Sequence, residues 1–360
     1  MPDIQLSNLT RTFGGMVAVN DITAVFPEGS VTCLLGPSGC GKTTLMRMIA
    51  GLETPSAGSV AFGGRDVTHL SPSRRDVGMV FQYPVMYRTR SVLENIALPL
   101  QRDRTLSAAE RRDRIEEVLD VLQLGGQRDS HIGDLDSGTR QKVAVGRAIA
   151  RRCDVILFDE PTTNVEVHAK LALIRAFKEF RTRLRQTIIY VTHDQTEAMT
   201  LADQIALMEA GRISQCSAPR EMYERPESRF GGWFLGNPGM NFLAPRGQRD
   251  GGVAFDVFAR PLALPSGGLD GMEAGIRPEY VQVLSAPAPD AVQARVLRSS
   301  ITTAGQYLLS LAVADTHLVA KVDAQSGPGI RGDVFVRCPL QHVVLFRNGW
   351  RIQEAPRLAG

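Results

Sequence analysis

The sequence predicts an α/β fold over about the first 235 residues, followed by a smaller domain built from short strands. Apolar runs alternate with helical patterns in the first part, which is the rhythm of a parallel sheet covered by helices. A glycine-rich segment that fits a phosphate-binding loop follows one of these apolar runs. After the segment 234–242, FLGNPGMNF, the sequence changes to short apolar runs separated by Gly, Pro and Ser.

The composition is that of an ordinary globular protein and argues against several function classes. Hydrophobic residues make up 43% and charged residues 22% of the chain, and no apolar run is long enough for a membrane span. A net charge of +3, with arginines spread along the chain, argues against nucleic-acid binding. The N-terminus does not look like a signal peptide, and the spacing of the five cysteines fits neither disulfides nor metal sites. We therefore expect a cytosolic protein with reduced thiols.

Five apolar runs are expected to form the buried strands of the first domain: 31–35, 78–81, 155–158, 187–192 and 203–208. A helical insertion, at about 85–150, lies between the second and the third of them. One of its helices begins with a capping box of Ser107 and Glu110 and is expected to end at Gly125. Its apolar positions at helical spacing are Ile115, Val118, Leu119 and Leu122.

The region 236–360 is expected to form a separate β domain, leaving 1–235 as the nucleotide-binding domain. Its strand-like runs are 253–258, 280–284, 292–297, 307–313, 317–322, 333–338 and 342–346. Short strands at this spacing are typical of a small barrel or sandwich.

The segment 36–44, GPSGCGKTT, fits the pattern G-x-x-x-x-G-K-[ST] between a strand and a helix. In that setting, backbone N–H groups wrap phosphate oxygens at the positive end of the helix. Lys42 is expected to reach the β- and γ-phosphates of ATP, and Thr43 to bind Mg²⁺. The predicted nucleotide-binding residues of the loop are Gly36, Ser38, Gly39, Cys40, Gly41, Lys42, Thr43 and Thr44. The alternative, a chance glycine-rich turn, fits the flanking strand and helix poorly.

Two carboxylates end the predicted strand at 155–158, at the edge where open α/β sheets bind their ligands. Asp159 is expected to hold Mg²⁺, directly or through water. Glu160 is expected to act as the general base on the attacking water. The alternative is an ordinary strand end with two solvated acids.

Two further polar side chains come at the ends of predicted strands. His193 follows the run 187–192 and is expected at the γ-phosphate, while Gln82 follows the run 78–81 and is expected near Mg²⁺ or the attacking water. A structural histidine and a loop hydrogen bond are the respective alternatives.

In this order, the phosphate loop, Gln82, the helix at 135–150, the Asp159–Glu160 pair and His193 resemble an ATP-binding-cassette (ABC) ATPase. The resemblance implies a P-loop ABC domain with a parallel-sheet core, antiparallel β and helical subdomains. It also implies a C-terminal OB-like barrel of the TOBE type. The stretch 275–280, GIRPEY, resembles the regulatory barrel of maltose and glycerol-3-phosphate importer ATPases, and Phe13 matches the aromatic platform that stacks on adenine.

The resemblance further implies an ATPase without a transmembrane part, peripheral at the cytoplasmic face of the inner membrane. Two ATPase copies would dock under two permease subunits and drive uptake of a sugar, polyol, glycerol or glycerol-3-phosphate delivered by a binding protein. The segment 82–100 would form the groove for the permease. Its expected contact residues are Tyr83, Val85, Met86 and Tyr87, unless they pack within the helical insertion.

The helix at 135–150 departs from the family at its start, where the signature LSGGQ faces the γ-phosphate bound by the partner subunit. The residues here are Leu135, Asp136, Ser137, Gly138 and Thr139. A carboxylate about 4 Å from a phosphate is repelled by roughly 4 kcal/mol for each unit of phosphate charge, at an effective dielectric of about 20. It also cancels part of the positive charge of the helix terminus. The alternative is that Asp136 only caps the helix.

The segment after the Asp159–Glu160 pair departs as well. The family pattern is close to L-S-N-L-D, whereas this chain has Thr162, Thr163, Asn164, Val165 and Glu166. The residues that act within the chain are therefore intact, and those that act on the partner's nucleotide are altered. This division predicts a heterodimer with a second, different ATPase subunit, as in the glycerol and polyol branch of the subfamily.

Other functions remain open at this point. A P-loop kinase would not need His193 or the signature-like helix, and an ABC-type repair or translation factor usually carries a coiled-coil insertion or a second cassette. A regulatory subunit with little ATPase activity would not need Glu160. An importer ATPase for a polyamine or a metal ion would share the same motifs.

Overall fold

The computed structural model describes residues 2–83, 86–103, 105–151, 153–163, 165–184, 186–263 and 268–359. The chain divides into two compact units, Met1–Arg220 and Glu221–Gly360. This division comes earlier in the chain than the predicted domain boundary after residue 235, which stays a prediction about where the domains can be separated. Among the helices in the described ranges, none is long and apolar enough to cross a membrane.

The first unit contains two sheets. Its strands are β1 (Ile4–Phe13), β2 (Met16–Phe26), β3 (Val31–Leu35), β4 (Ala57–Phe62), β5 (Arg65–Asp66), β6 (Val77–Val80), β7 (Val155–Asp159), β8 (Thr187–Thr192), β9 (Gln204–Glu209) and β10 (Arg212–Ser217). The antiparallel sheet has the order β2-β1-β4-β5, and the larger sheet has the order β10-β9-β3-β8-β7-β6. In the larger sheet all neighbours are parallel except β10 and β9.

The five predicted strands of the first domain are present, with ends displaced by one residue in three of them. Every residue of β3, β7 and β8 is buried, as expected for parallel strands covered on both faces. Phe81 lies beyond the end of β6 and is exposed. One apolar cluster joins both sheets, and its helical members are Leu45, Met46, Met48, Ile49 and Ala50.

The helices of the first unit are α1 (Lys42–Ala50), α2 (Val92–Ala97), α3 (Ala108–Val121), α4 (Ser137–Ala150), α5 (Val167–Leu184) and α6 (Gln195–Leu201); α7 (Pro219–Glu224) spans the division. The predicted capping box of Ser107 and Glu110 starts α3. The predicted end of that helix at Gly125 is wrong. Gln123 adopts the left-handed conformation instead, and the N–H of Leu124 donates to the carbonyl of Leu119, which closes the helix two residues earlier.

The second unit contains α8 (Arg229–Phe234) and short strands around one apolar core. The strands are β11 (Asn241–Leu243), β12 (Gly247–Arg249), β13 (Gly252–Ala254), β14 (Leu262–Ala263), β15 (Met272–Ile276), β16 (Gln282–Leu284), β17 (Val292–Ile301), β18 (Tyr307–Val313), β19 (Thr316–Val322), β20 (Asp333–Arg337), β21 (Val343–Arg347) and β22 (Trp350–Arg351). They form sheets in the orders β11-β15-β21-β22, β12-β13-β14 and β16-β20-β17-β18-β19. The β-rich class predicted for this region is confirmed.

One predicted strand of the second unit, at 253–258, is only partly correct. Strand β13 ends at Ala254, and the N–H of Phe258 bonds to the carbonyl of Phe255 across a turn. Phe255 and Val257 are nevertheless buried, so alternating burial in a turn imitated the pattern of a strand. The predicted run at 280–284 also forms a strand only from Gln282 onward.

Candidate active site

The phosphate-loop pattern connects the buried strand β3 to helix α1. Two of its glycines are required by close backbone approach, because a Cβ at Gly36 would lie 2.3 Å from the carbonyl oxygen of Met208 and one at Gly41 2.3 Å from that of Ala18. Gly41 also has a φ of 104°, which disfavours any other residue. Ser38 and Gly39 are exposed at the tip of the loop, whereas Cys40 is buried.

Helix α1 begins without a side-chain cap, which leaves its first N–H groups for another acceptor. Lys42 is 5% exposed, and its Nζ donates to the carbonyl oxygens of Gly36 at 2.8 Å and Pro37 at 2.9 Å. The ammonium is thus held inside the loop rather than in solvent. Uncapped N–H groups and a buried ammonium together make this helix start a site for an anion such as phosphate. Thr44 lies half-buried in the same first turn.

The hydroxyl of Thr43 donates to Oδ1 of Asp159 at 3.3 Å, which joins the phosphate loop to the carboxyl end of β7. Burial raises the pKa of Asp159, an effect that the Thr43 hydrogen bond only partly offsets. Oxygen donors of this kind suit Mg²⁺, which commonly binds one or two carboxylates together with phosphate oxygens. Within the described ranges, no group of three or more His, Cys, Asp or Glu side chains could hold a metal ion without such additional ligands.

Glu160 and His193 contact each other at the ends of the neighbouring parallel strands β7 and β8, with 3.1 Å between Oε2 and Nδ1. Thr163 donates its hydroxyl to the same Oε2 at 3.0 Å. The backbone N–H of Glu160 donates to the carbonyl of Val191, and its φ of 43° is unusual for a residue other than glycine. A half-buried carboxylate fixed in this way can accept a proton from a water molecule.

The chain is similar in sequence to known proteins. The family model for the ABC transporter matches residues 19–163. The "sn-glycerol-3-phosphate import ATP-binding protein UgpC" of Cereibacter sphaeroides is 39% identical over 80% of this chain and 82% of its own length. The "Sulfoquinovosyl glycerol transport ATP-binding protein SmoE" of Agrobacterium fabrum is 41% identical over 78% and 80%. UgpC 3 of Rhizobium etli is 35% identical over 98% and 99%.

The chain belongs to the ABC transporter ATPase family. As a member it binds ATP and is an ATPase. A solved structure of cbiO1 from Clostridium perfringens, part of the ABC transporter complex cbiONQ, has the same fold, with a TM-score of 0.57 at 25% identity. That likeness covers 61% of this chain and 89% of the other.

The residues predicted to stand at the ABC signature position form the start of α4, where Asp136 is the N-cap. Its Oδ1 accepts from the N–H of Thr139 at 2.8 Å and its Oδ2 from the Thr139 hydroxyl at 2.7 Å. These hydrogen bonds lower the pKa of Asp136, so the exposed side chain carries a full negative charge at neutral pH. The capping alternative therefore describes this geometry, and the carboxylate still adds its charge to the helix start. Ser137 is exposed and Gly138 is buried.

Gln82, Ser137 and Thr163 line one cavity of about 330 Å³. Among the described residues, Gln82 has no hydrogen bond to Thr43, Asp159 or Glu160, so its predicted part in the metal site stays a prediction. Phe13 is exposed at the end of β1, and one face of its ring is covered by the guanidinium of Arg11, 4.5 Å from the ring centroid. Its stacking on adenine likewise stays a prediction.

The residues predicted to contact the permease differ in exposure and in their contacts within the chain. Tyr83 is 72% exposed, whereas Met86 is half-buried. Tyr87 is exposed, yet its backbone N–H and carbonyl bond to the buried side chain of Asn95. Val85 lies outside the described residues, as does Asn164 in the segment after Glu160.

The hydrogen bond from Thr163 to the carboxylate of Glu160 was not predicted from the sequence. A hydroxyl three residues after a carboxylate is a signal for such a bond, but the departure from the family pattern at 162–166 predicted only a loss of groups that act on the partner's nucleotide. The structure gives this threonine a contact within its own chain.

Proposed function

We propose that this chain is the ATP-hydrolysing subunit of an importer for a small solute, such as a sugar, a polyol, glycerol or glycerol-3-phosphate. The names of its relatives support this solute class. The chain would act at the cytoplasmic face of the inner membrane through separate permease subunits, with Tyr83, Met86 and Tyr87 among the contacts. The observation that carries the ATPase site is the Glu160–His193 contact at the sheet edge where Thr43 meets Asp159.

In this proposal, Lys42 and the uncapped N–H groups of α1 bind the β- and γ-phosphates, and Phe13 stacks on adenine. Thr43, Asp159 and Gln82 would hold Mg²⁺, whose charge would offset that of the phosphates. Glu160 takes the proton of the attacking water. His193, held by its Nδ1 contact with Glu160, faces the γ-phosphate and keeps the carboxylate oriented.

We further infer that the working dimer pairs this chain with a different ATPase subunit. The partner's regular signature would close over the ATP bound to this chain. The Asp136 carboxylate would stand opposite the partner's γ-phosphate and weaken that second site. The support for this division is the charge at the start of α4, which the Thr139 hydrogen bonds hold in its ionised form.

Glu160→Gln tests the assignment of the general base. The variant keeps a side chain of the same shape but cannot accept a proton, so hydrolysis should slow by about 10²-fold or more while ATP affinity stays within about twofold. Single-turnover hydrolysis of radiolabelled ATP gives both values when the full chain is in excess and carries Asp136→Ser, Ser137→Gly and Thr139→Gln, so that a homodimer has a regular signature at both sites. The matched control is Glu28→Gln, which removes an exposed carboxylate from the loop between β2 and β3. Unchanged hydrolysis in Glu160→Gln would refute this role, whereas a rate at background in both the parent and the variant would favour a regulatory subunit.

A further inference from the structure

Behind the Glu160–His193 pair lies a fully buried carboxylate, that of Glu197 on helix α6. It is 0% exposed and belongs to none of the groups assigned to ATP or Mg²⁺. Burying a charge in this way is costly unless it is paired and hydrogen-bonded. The hydrogen-bond partners of this carboxylate therefore indicate its role.

Each oxygen of Glu197 accepts from two donors. Oε1 is bound by the Thr162 hydroxyl and by the ammonium of Lys170 at 2.7 Å. Oε2 accepts from the hydroxyls of Tyr190 at 3.1 Å and Thr192 at 2.7 Å. Since an ionised carboxylate offers about four acceptor positions, all of them are occupied by protein donors.

Two of these donors are close in sequence to Glu160 and His193, the candidate hydrolysis residues. Thr162 follows Glu160 by two residues, and Thr192 immediately precedes His193. Thr192 also accepts the N–H of Asp194 at 3.0 Å, so the chain is fixed on both sides of the histidine. Glu197 thereby ties the loop after β7 to the end of β8.

The remaining two donors, Lys170 and Tyr190, hold the carboxylate in place. Lys170 on α5 also pairs with Asp194 at 2.5 Å. Burial lowers the pKa of Lys170, but its hydrogen bonds to Asp194 and Glu197 outweigh burial and leave that pKa raised. The ring of Tyr190 packs edge-on against Phe177 with the ring centroids 5.5 Å apart.

We propose that Glu197 is a positioning residue for ATP hydrolysis, which sets the distance between Glu160 and His193 by holding Thr162 and Thr192 on one buried carboxylate. The inference rests on the proposed roles of Glu160 and His193. It gives a role to Thr162, at a position where the family pattern has leucine. In this chain the hydroxyl of Thr162 donates a hydrogen bond to Glu197.

Threonine substitutions at both ends of this connection test the proposal. Thr162→Val and Thr192→Val each remove one hydroxyl with little change of shape. Measured in the same regular-signature background as Glu160→Gln, each should lower the single-turnover rate about tenfold or more, because small displacements of reacting groups cost large factors in rate. The ATP concentration at half-maximal rate should stay within about twofold. Thr162→Ser and Thr192→Ser restore the hydroxyl and should restore the rate.

Thr187→Val is the matched control, since it removes a buried hydroxyl from the opposite end of β8, where that hydroxyl donates to the carbonyl of Pro2 and accepts the N–H of Gly29. A purely structural effect would slow hydrolysis equally in all three variants. The positioning role requires that Thr187→Val keeps the rate within about threefold. Equal slowing in Thr187→Val, or a normal rate in both Thr162→Val and Thr192→Val, would overturn the proposal.

A second measurement does not depend on turnover. The chain has six histidines, so the ring signals of His193 can be assigned in NMR spectra by difference with a His193→Gln variant. Glu160→Gln gives the signals of His193 without its carboxylate partner. Thr162→Val and Thr192→Val should move the wild-type signals toward those values, and unmoved signals would overturn the proposal. Slow hydrolysis in Glu160→Gln with normal rates in both valine variants would refute this inference alone, whereas normal hydrolysis in Glu160→Gln would refute the proposed catalytic role.

Discussion

Helices α1 and α4 begin in opposite ways within one unit of the molecule. At α1, the N-cap is Gly41, no side chain caps the helix start by a hydrogen bond, and Lys42 adds a positive charge. At α4, the N-cap is Asp136, whose two oxygens are bound by the N–H and hydroxyl of Thr139. The start of α1 can bind an anion, whereas the start of α4 already contains the carboxylate of Asp136.

The difference shows that a helix N-terminus is an anion site only where its own side chains leave the N–H groups free. Both helix starts have the same partial positive charge from the backbone. In α4 the N-cap carboxylate satisfies the N–H group of Thr139, which is stabilising for the helix and repulsive for a phosphate. The two starts are therefore suited to different tasks, nucleotide binding at α1 and a weak or inert contact at α4.

The largest effect is expected when the start of α4 is made to resemble a regular signature. Asp136→Ser, Ser137→Gly and Thr139→Gln together remove a charge repulsion of roughly 4 kcal/mol before relaxation. The closed homodimer should then form, and the ATPase rate of the purified chain should rise and depend on the square of protein concentration. The same triple variant combined with Glu160→Gln is the control, since its dimer should form without turnover. Brisk wild-type turnover with a second-order concentration dependence, unchanged in the triple variant, would rule out the asymmetric dimer.

A smaller effect is expected at the open helix start. Lys42→Ala removes a charge-assisted contact to phosphate that contributes about 1.5–3 kcal/mol, so the dissociation constant for ATP should rise roughly 10- to 100-fold. Titration calorimetry with the full chain measures this constant directly. Lys321→Ala, which removes a lysine from β19 of the second unit, should leave it unchanged. An affinity in Lys42→Ala within twofold of wild type would mean that the phosphates bind elsewhere.

The sequence predicted the open helix start well because its signal is local. A strand, a glycine pattern and a helix follow one another directly, and the geometry at Gly41 depends on those few residues. The closeness of Glu160 and His193 was also predictable, because the carboxyl ends of neighbouring parallel strands lie at one edge of a sheet. The contact itself and its 3.1 Å distance required the structure.

Features that depend on side-chain direction were not predictable from the pattern. The four donors to Glu197 come from α5, β8 and the loop after β7, and nothing in their spacing along the chain shows that they converge. The end of α3 was missed because Gln123 takes the left-handed conformation that usually selects glycine. The strand predicted at 253–258 was too long because a turn buried alternate residues.

The smallest effect is expected when only the charge of Asp136 at the start of α4 is removed. Asp136→Asn keeps a good N-cap but removes the ionisable group, so the wild type should be more stable at pH 7 by about 0.3–1 kcal/mol, the usual value of a charge at a helix terminus. For a unit of this size, that difference corresponds to at most about 3 °C in the unfolding temperature of the first unit.

The pH dependence of that difference follows from the hydrogen bonds of Thr139, which lower the pKa of Asp136 below its ordinary value of 3.8. A lowered pKa in the folded state gives stability that is fully present above about pH 4 and is lost as the pH falls through the folded value. The difference between wild type and Asp136→Asn should therefore shrink in acid. A difference that stays constant from pH 7 to pH 3 would mean that the carboxylate does not act on the helix, and the contrast between the two helix starts would then rest on hydrogen bonding alone.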